Sequence, residues 1–306
     1  MNAPASPSLD PFVAAVDVIG DAWTFLITRE AFFGARKFDD FSRELKISSS
    51  RLAERLKHLV ALGLFERKQY QASPPRFEYR FTSRGFGVYA IALSMIAWGQ
   101  KWQSAESDVE LVHASCGKPI VPKYVCRDCG EEIRPKDLKW PPIIPLNQAL
   151  ADETSVRGWR KLPNVMSVAT RKDPATEVLK VAGDRWSMLI IYGALQREFR
   201  FREAHSKLGI AHNILSSRLK ALVSEGLLER EDTARQAPYR ATKAGQDLLS
   251  SVLVTRTWAL DHLVDPDRTW NQLIHEPCGS DLRIDIQCAH CGELITPQNV
   301  IPRLKS

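Results

Sequence analysis

The hydrophobic and polar positions of this chain show two kinds of period, one typical of helices and one typical of strands. From Phe12 to Phe33, apolar residues recur every three or four positions, which is the period of an amphipathic helix. The same period returns in three later stretches, 38–47, 51–63 and 89–102. Two stretches instead alternate apolar and polar residues, as strands do: 64–71 and 76–83. The predicted order is helix, short helix, turn, helix, hairpin and helix.

This order of elements predicts a winged helix-turn-helix. Ser48 to Ser50 form a polar turn of residues that suit the start of a helix, and Gly63 suits its end. The loop between the two strands carries Pro74 and Pro75. A helix that follows such a turn can lie in the major groove of DNA, and the hairpin, or wing, can reach the neighbouring backbone.

Four blocks of sequence occur twice, in the same order. The matching pairs are 16–32 with 179–195, 47–67 with 210–230, 79–87 with 239–247, and 113–133 with 275–295. The offset shortens before the third pair, so the hairpin loop differs in length between the copies. Ordered self-similarity of this kind indicates a tandem duplication, whose halves we call copy one and copy two.

The duplication predicts a mainly α chain with small β wings. It contains two winged helix-turn-helix domains, each followed by a short Cys-rich segment that resembles a zinc knuckle. The linker is assigned because it is rich in proline and lacks amphipathic periodicity. The expected boundaries are a disordered arm (1–10), winged helix 1 (11–105), Cys-rich segment 1 (106–137), a linker (138–173), winged helix 2 (174–265) and Cys-rich segment 2 (266–306).

The composition is that of a soluble globular protein. Hydrophobic residues make up 44% and charged residues 25% of the 306 positions, and no apolar run approaches the roughly 18 residues that cross a bilayer. The start, MNAPASPSLD, lacks the basic and apolar regions of a signal peptide, so we expect a cytoplasmic protein without membrane contact. The formal charge of +6 and the pI of about 9.0 permit a nucleic acid partner.

The polar side of the third predicted helix carries side chains that suit double-stranded DNA in both copies. Hydroxyl, amide and cationic groups at a helix N-terminus can contact base edges and phosphates. The candidates on this helix are Ser48, Ser49, Ser50, Arg51, Arg55 and Lys57 in copy one, and His212, Asn213, Ser216, Ser217, Arg218 and Lys220 in copy two. The candidates in the wings are Lys68, Arg76, Arg235 and Arg240.

Alignment of the copies separates two expected roles. The cations that align with one another, Arg55 with Arg218 and Lys57 with Lys220, are assigned to phosphates. The positions that differ are assigned to bases: Ser49/His212, Ser50/Asn213 and Arg51/Ile214. A solvated charged face that binds nothing is the alternative for any single cation.

At these residues the chain resembles the HxlR-type winged helix-turn-helix transcriptional regulators. In copy one the resemblance is carried by IGDAWTFLITREAFFGARKFDDFSREL, ISSSRLAERLKHLVALGLFER and FEYRFTSRG. In copy two it is carried by AGDRWSMLIIYGAL, REFRFREAHSKLGI, NILSSRLKALVSEGLLER and PYRATKAG. The resemblance implies DNA binding by paired domains, terminal helices at the dimer interface, and a small molecule or an oxidant as effector.

Two copies in one chain depart from the family pattern. We expect a covalent pseudo-dimer that reads an operator with two different half-sites, ~34 Å apart, because fusion makes the second DNA contact intramolecular. Further homodimerisation stays open.

All six cysteines fall in the last repeated block, which has the pattern H-x2-C-x9-C-x2-C-G-E in each copy. A C-x2-C-G turn lets two thiolates hold one tetrahedral ion, and a second pair of ligands completes the shell. Four N and S ligands without an open position indicate structural zinc rather than catalysis. The predicted ligand sets are His113, Cys116, Cys126 and Cys129, and His275, Cys278, Cys288 and Cys291.

Three alternatives stay open for these residues. The cysteines can be buried without a metal, or the two C-x2-C pairs can form reversible disulfides that sense oxidants. In the third alternative the metal is present but the fourth ligand is not the histidine, and the substitutes are Asp128, His290 or a water molecule.

No pattern in the sequence is typical of an enzyme. HExxH, GxSxG and a glycine-rich phosphate loop are absent, and a closed four-ligand metal site cannot activate water. The remaining rival is a protein-interaction adaptor built on winged helices that do not bind DNA. Salt-dependent DNA affinity separates the two, since phosphate contacts release counterions.

Overall fold

The computed structural model describes residues 10–103, 109–141, 178–179, 183–230, 237–265 and 269–304. Most of the expected linker, nearly all of the expected N-terminal arm and the wing candidate Arg235 lie outside these ranges. The described residues are mainly helical, with short antiparallel strands, which confirms the predicted fold class.

Copy one forms a winged helix-turn-helix in the predicted order, followed by three short strands. The helices are α1 (Pro11–Ile19), α2 (Ala22–Phe32), α3 (Phe38–Glu44), α4 (Ser49–Ala61) and α5 (Ser83–Trp102). The strands are β1 (Phe65–Gln71) and β2 (Arg76–Phe81) in the wing, then β3 (Val109–His113), β4 (Pro122–Cys126) and β5 (Leu138–Lys139). The wing is antiparallel, with Phe65 opposite Phe81.

Copy two repeats this frame in its described residues. The helices are α6 (Arg185–Gln196), α7 (Phe201–Leu208), α8 (His212–Ser224), α9 (Lys243–Asp247) and α10 (Leu249–His262). The wing strands are β6 (Leu228–Arg230) and β7 (Tyr239–Ala241). The Cys-rich segment contributes β8 (Ile274–His275), β9 (Ser280–Asp281), β10 (Ile284–Cys288) and β11 (Val300–Leu304).

The single helix expected over 12–33 is two helices in the structure. Asp21 separates them, because its carboxylate accepts hydrogen bonds from the backbone N–H groups of Trp23 at 3.0 Å and Thr24 at 3.1 Å and so caps α2. An N-cap residue has a non-helical backbone, so the helix is interrupted although the apolar period continues. Asp184 caps α6 in the same way, which explains why Gly-Asp occurs in both copies.

The chain divides into two compact units, and neither unit is one sequence copy. Within the described residues, unit 1 combines positions up to 17 with 123–141 and 183–286, and unit 2 combines 18–122 and 178–179 with 287–304. In unit 1 the Tyr192 hydroxyl donates a hydrogen bond to the buried Asp10 carboxylate at 2.9 Å. The consecutive domain boundaries expected from the sequence stay a prediction.

Strands of the Cys-rich segments pair across the copies. In unit 2, β3 of copy one is antiparallel to β11 of copy two, with His113 opposite Val300. In unit 1, β5 of copy one is antiparallel to β8 of copy two, with Leu138 opposite His275. The exchange is reciprocal, because β3 and β8 occupy equivalent positions in the two copies, and so do β5 and β11.

Candidate nucleic-acid interface and metal centres

Helix α4 separates an apolar face from a polar face. Leu52, Leu56 and Leu59 are buried at helical spacing and fix the helix against the core of unit 2. The other faces and the N-terminal turn expose polar and cationic candidates: Ser48, Ser49, Ser50, Arg51 and Lys57. The exposed turn is also the positive end of the helix dipole, which favours an anion.

Helix α8 has the same buried face and a different exposed N-terminus. Leu215, Leu219 and Leu222 are buried. The exposed residues include His212, Asn213, Ile214, Ser217 and Lys220, and Ser216 is half-buried. The position that holds Arg51 in copy one therefore holds Ile214 in copy two, an aliphatic side chain that is 37% exposed.

The aligned arginines are engaged inside the protein. The Arg55 guanidinium lies 3.5 Å from a carboxylate oxygen of Asp21, and that of Arg218 lies 3.1 Å from Asp184. Each pair links the candidate recognition helix of its copy, α4 or α8, to the N-cap residue of α2 or α6. In contrast, Lys57 and Lys220 are exposed and form no ion pair with other described residues. The assignment of all four cations to phosphates stays a prediction.

The two wings differ. In copy one Lys68 and Arg76 are exposed, and Lys68 lies opposite Glu78 in the hairpin. In copy two the described strands are shorter, and Arg240 forms an ion pair with Glu198 at 2.6 Å. Among the described residues, the wing of copy one therefore has the longer strands and more exposed cationic candidates.

The eight predicted metal ligands form two clusters, but not in the predicted sets. One cluster, within unit 2, consists of His113, Cys116, Cys288 and Cys291. The other, within unit 1, consists of Cys126, Cys129, His275 and Cys278. Each cluster therefore joins the H-x2-C half of one copy to the C-x2-C half of the other, and the expectation that each motif closes on itself is wrong for this structure.

Four similar turns build the two clusters. After each H-x2-C or C-x2-C pair comes a glycine with left-handed backbone, and its N–H donates to the carbonyl of the first ligand at 2.8 or 2.9 Å. A residue with a Cβ is disfavoured at such a φ. These glycines are Gly117, Gly130, Gly279 and Gly292. The H-x2-C-G repeat was therefore a sequence signal for a second ligand turn in each motif.

The distances between ligand atoms fit a tetrahedral zinc shell. Zinc bonds of about 2.3 Å to sulfur and 2.0–2.1 Å to nitrogen place neighbouring ligand atoms roughly 3.5–3.8 Å apart. The Sγ atoms of Cys116 and Cys288 are 3.8 Å apart, as are those of Cys126 and Cys278. All eight ligand atoms lie within 4.8 Å of the others in their cluster.

Both histidines present Nδ1 to the cysteines. Nδ1 of His113 lies 3.5 Å from Sγ of Cys116 and 3.3 Å from Sγ of Cys291. Nδ1 of His275 lies 3.5 Å from Cys129 and 3.3 Å from Cys278. Both imidazoles are fully buried and their Nε2 atoms have no partner among the described residues. The nitrogen that faces the thiols, Nδ1, is the atom that would bind an ion in each cluster, so the residues present fit zinc.

The thiols of one cluster differ in acidity. Burial raises the pKa of Cys126 to about 11. The backbone N–H of Ser280 and the His275 ring hydrogen-bond to Cys278 and lower its pKa to about 6. All six cysteines are free thiols in the structure. When zinc is bound, its charge holds ligating cysteines as thiolates.

These features define the class of protein. Two helix-turn-helix units with exposed polar helices and hairpin wings are the architecture of a winged helix-turn-helix transcriptional regulator. The model of the HxlR-like helix-turn-helix family matches residues 18–107 and 181–266, which together are more than half of the chain. The chain therefore belongs to the HxlR-like helix-turn-helix family, which is a family of transcriptional regulators and not of enzymes.

The chain is also similar to individual curated proteins and to a solved structure. An uncharacterized HTH-type transcriptional regulator of Mycobacterium tuberculosis (strain CDC 1551 / Oshkosh) is 39% identical over 126 residues, which are 40% of this chain and 80% of the relative. A relative of the same description from Synechocystis sp. is 33% identical over 98 residues, 32% of this chain and 73% of that protein. A crystal structure of the candidate transcription factor PA1607 is 30% identical, with a TM-score of 0.38, and covers 41% of this chain and 90% of that one. Among the described residues, no helix is both long and apolar enough to cross a membrane.

Proposed function

We propose that this protein is a sequence-specific DNA-binding regulator in which a single chain acts as a pseudo-dimer on double-stranded operator DNA. The observation that carries the proposal is the pair of recognition helices, α4 and α8. They share a buried leucine face and expose different N-terminal residues. A homodimer would present two identical helices, whereas this chain presents two that differ.

Each helix is suited to a different half-site. Arg51 can form a bidentate hydrogen bond with guanine, which is the commonest specific contact in the major groove. Ile214 offers an aliphatic surface that matches the methyl group of thymine. We therefore propose an operator with two unlike half-sites, about one helical turn apart.

Exchanging Arg51 and Ile214 tests whether α4 and α8 contact the bases of the operator. In selection from random duplexes, Arg51→Ile should replace the guanine preference of its half-site with thymine, and Ile214→Arg should do the reverse. The double exchange should invert the orientation of the preferred operator. Each mismatched base pair should weaken the binding free energy by about 1–3 kcal/mol. A perfectly palindromic footprint occupied by two unaltered chains would contradict the proposal.

The phosphate contacts are tested by salt dependence. Lys57 and Lys220 are exposed on α4 and α8 and form no ion pair with other described residues, so each should contribute to the binding of any DNA sequence. Lys57→Ala and Lys220→Ala should each lower the slope of log affinity against log salt by about one. Lys136→Ala, an exposed lysine outside both helix-turn-helix elements, is the matched control. The absence of salt-dependent DNA affinity in the unaltered chain would favour the adaptor alternative.

We also propose that each Cys-rich cluster holds one structural zinc ion. Support comes from the donor set of three thiols and one imidazole and from the distances between the ligand atoms. Elemental analysis of the reduced, unaltered chain should give two zinc ions, and Cys126→Ser should lower the content to about one. Less than one zinc per unaltered chain would remove the zinc proposal and leave DNA binding to be judged separately.

A further inference from the structure

The two Cys-rich motifs have identical ligand spacing, so two pairings of their halves were available. In the first, each copy closes its own motif around one ion. In the second, the H-x2-C half of each copy meets the C-x2-C half of the other. The structure has the second arrangement in both units.

The crosswise pairing is a property of the backbone and not of a few side-chain rotamers. In unit 2 the N–H of Ala114 donates to the carbonyl of Asn299 at 2.8 Å. In unit 1 the equivalent N–H of Glu276 donates to the carbonyl of Asp137 at 2.9 Å. Together with the β3–β11 and β5–β8 pairs, these bonds position the two ligand turns of each cluster before any ion is considered.

The burial of the candidate ligands agrees with the crosswise pairing. In each cluster the histidine of one copy and the first cysteine of the C-x2-C turn of the other copy are buried together: His113 with Cys288, and His275 with Cys126. Separating the copies would split each observed cluster into two pairs of ligands, one pair on each copy. Two ligands hold zinc much more weakly than a complete tetrahedral shell.

We propose that the two zinc ions cross-link the two copies of the chain. Each ion is shared between the copies, so metal loading stabilises their pairing in addition to the peptide connection. The inference deepens the proposed zinc sites and rests on them. It assigns to the metal a role in joining the halves of the pseudo-dimer, which a zinc ion held within one copy would not have.

Two double variants of the full chain distinguish the two pairings. Cys116→Ser with Cys291→Ser removes two ligands from one observed cluster and leaves the other complete. Cys116→Ser with Cys129→Ser removes one ligand from each cluster. Zinc retained by the reduced proteins is measured in the presence of the chelator 4-(2-pyridylazo)resorcinol, which competes for ions in incomplete shells.

Crosswise pairing predicts one zinc retained by the Cys116/Cys291 variant and none by the Cys116/Cys129 variant. The reverse result, with the ion retained only by the Cys116/Cys129 variant, would overturn the proposal while leaving zinc binding intact. Two ions in the unaltered chain show that the zinc sites themselves exist. Neither readout involves DNA, so a failure of the DNA-binding proposal would be seen separately.

Thiol alkylation of a single variant decides the case in which both double variants lose all metal through misfolding. In zinc-loaded Cys116→Ser, crosswise pairing predicts that Cys288 and Cys291 of copy two become reactive to iodoacetamide. Cys126 and Cys129 of copy one should stay protected. Mass spectrometry of the peptides identifies the modified sites. Alkylation of Cys126 and Cys129 with protection of Cys288 and Cys291 would overturn the proposal.

Discussion

Two aspartates connect the recognition helix of each copy to the rest of its domain. Asp21 and Asp184 each cap a helix with two backbone hydrogen bonds and also lie beside an arginine of the recognition helix. The arginines that align between the copies, Arg55 and Arg218, therefore have a structural partner within reach. This arrangement explains their presence in both copies without any DNA.

Asp184→Ala should destabilise the protein by about 1–2 kcal/mol, because it removes the N-cap of α6. The loss of the Arg218 pair should add little, since both partners are partly exposed. The measurement is the free energy of unfolding in urea. Glu54→Ala, at an exposed position on α4, is the control and should stay within about 0.5 kcal/mol of the unaltered chain. Equal stabilities of the two variants would show that the cap does not matter.

Asp10 should make stability depend on pH in unit 1. Its carboxyl is buried, and burial raises its pKa above the ordinary value of 3.8, although hydrogen bonds from Tyr192 and backbone N–H groups oppose the shift. The folded state thus holds the proton more tightly than the unfolded state. The contribution of Asp10 to the unfolding free energy consequently falls as the pH rises from about 3.8 through the raised pKa, and then levels off.

Asp10→Asn removes this titration. The stability of the variant relative to the unaltered chain should therefore improve as the pH rises through that window. Urea unfolding at a series of pH values measures the difference, in which other titrating groups cancel. Parallel curves for the two proteins would contradict the assignment.

The contact between the wing and the helix that follows it depends on one glycine in each copy. Thr82 caps α5 by accepting a hydrogen bond from the N–H of Gly85, and Thr242 does the same for Gly245. A Cβ on Gly85 would lie 2.0 Å from the carbonyl oxygen of Leu64, and one on Gly245 would lie 2.2 Å from that of Leu227. The repeated Thr-x-x-Gly is therefore explained by the close approach of the helix backbone to the backbone just before the wing.

Gly85→Ala should destabilise the protein by about 1–3 kcal/mol, because the helix must move away from the wing to accept the methyl group. Gly193→Ala is the matched control: Gly193 lies inside α6, and nothing lies within 4 Å of a Cβ built there. That control should be neutral or stabilising by up to about 1 kcal/mol. Thermal unfolding of both variants measures the contrast, and an unfolding temperature for Gly85→Ala at or above that of the control would contradict it.

At the scale of the whole molecule, zinc should stabilise segments from both copies at once. With free zinc at 100 times the dissociation constant, linkage gives about 2.7 kcal/mol for each site. Removing the metal with a chelator should lower the melting temperature in calorimetry. The Cys116→Ser/Cys291→Ser variant should respond less than the unaltered chain, because one of its two sites is already lost. Identical melting curves with and without chelator would show that the ions do not contribute to folding.

Sequence reasoning recovered the elements of the fold and the residues that form the two Cys/His clusters. The order of helices and strands follows from apolar periodicity, and the eight candidate ligands follow from their spacing around the repeated glycines. The break at Asp21 was missed because both sides of it carry the same apolar period. The prediction for Arg55 and Arg218 named only a phosphate partner and left out the aspartates. An arginine on an outer helix face looks the same in sequence whether an aspartate or a phosphate faces it.

The sequence by itself determined that there are two winged helices, that their recognition helices differ, and that each copy carries four candidate ligands. These are local properties of spacing, periodicity and residue type. Only the tertiary structure decided which half of each Cys-rich motif meets which. His113 has the same spacing to Cys126 as His275 has to Cys288, so both pairings satisfy the local pattern equally well. The choice is made by the backbone pairing of β3 with β11 and of β5 with β8, which are contacts between residues far apart in the chain.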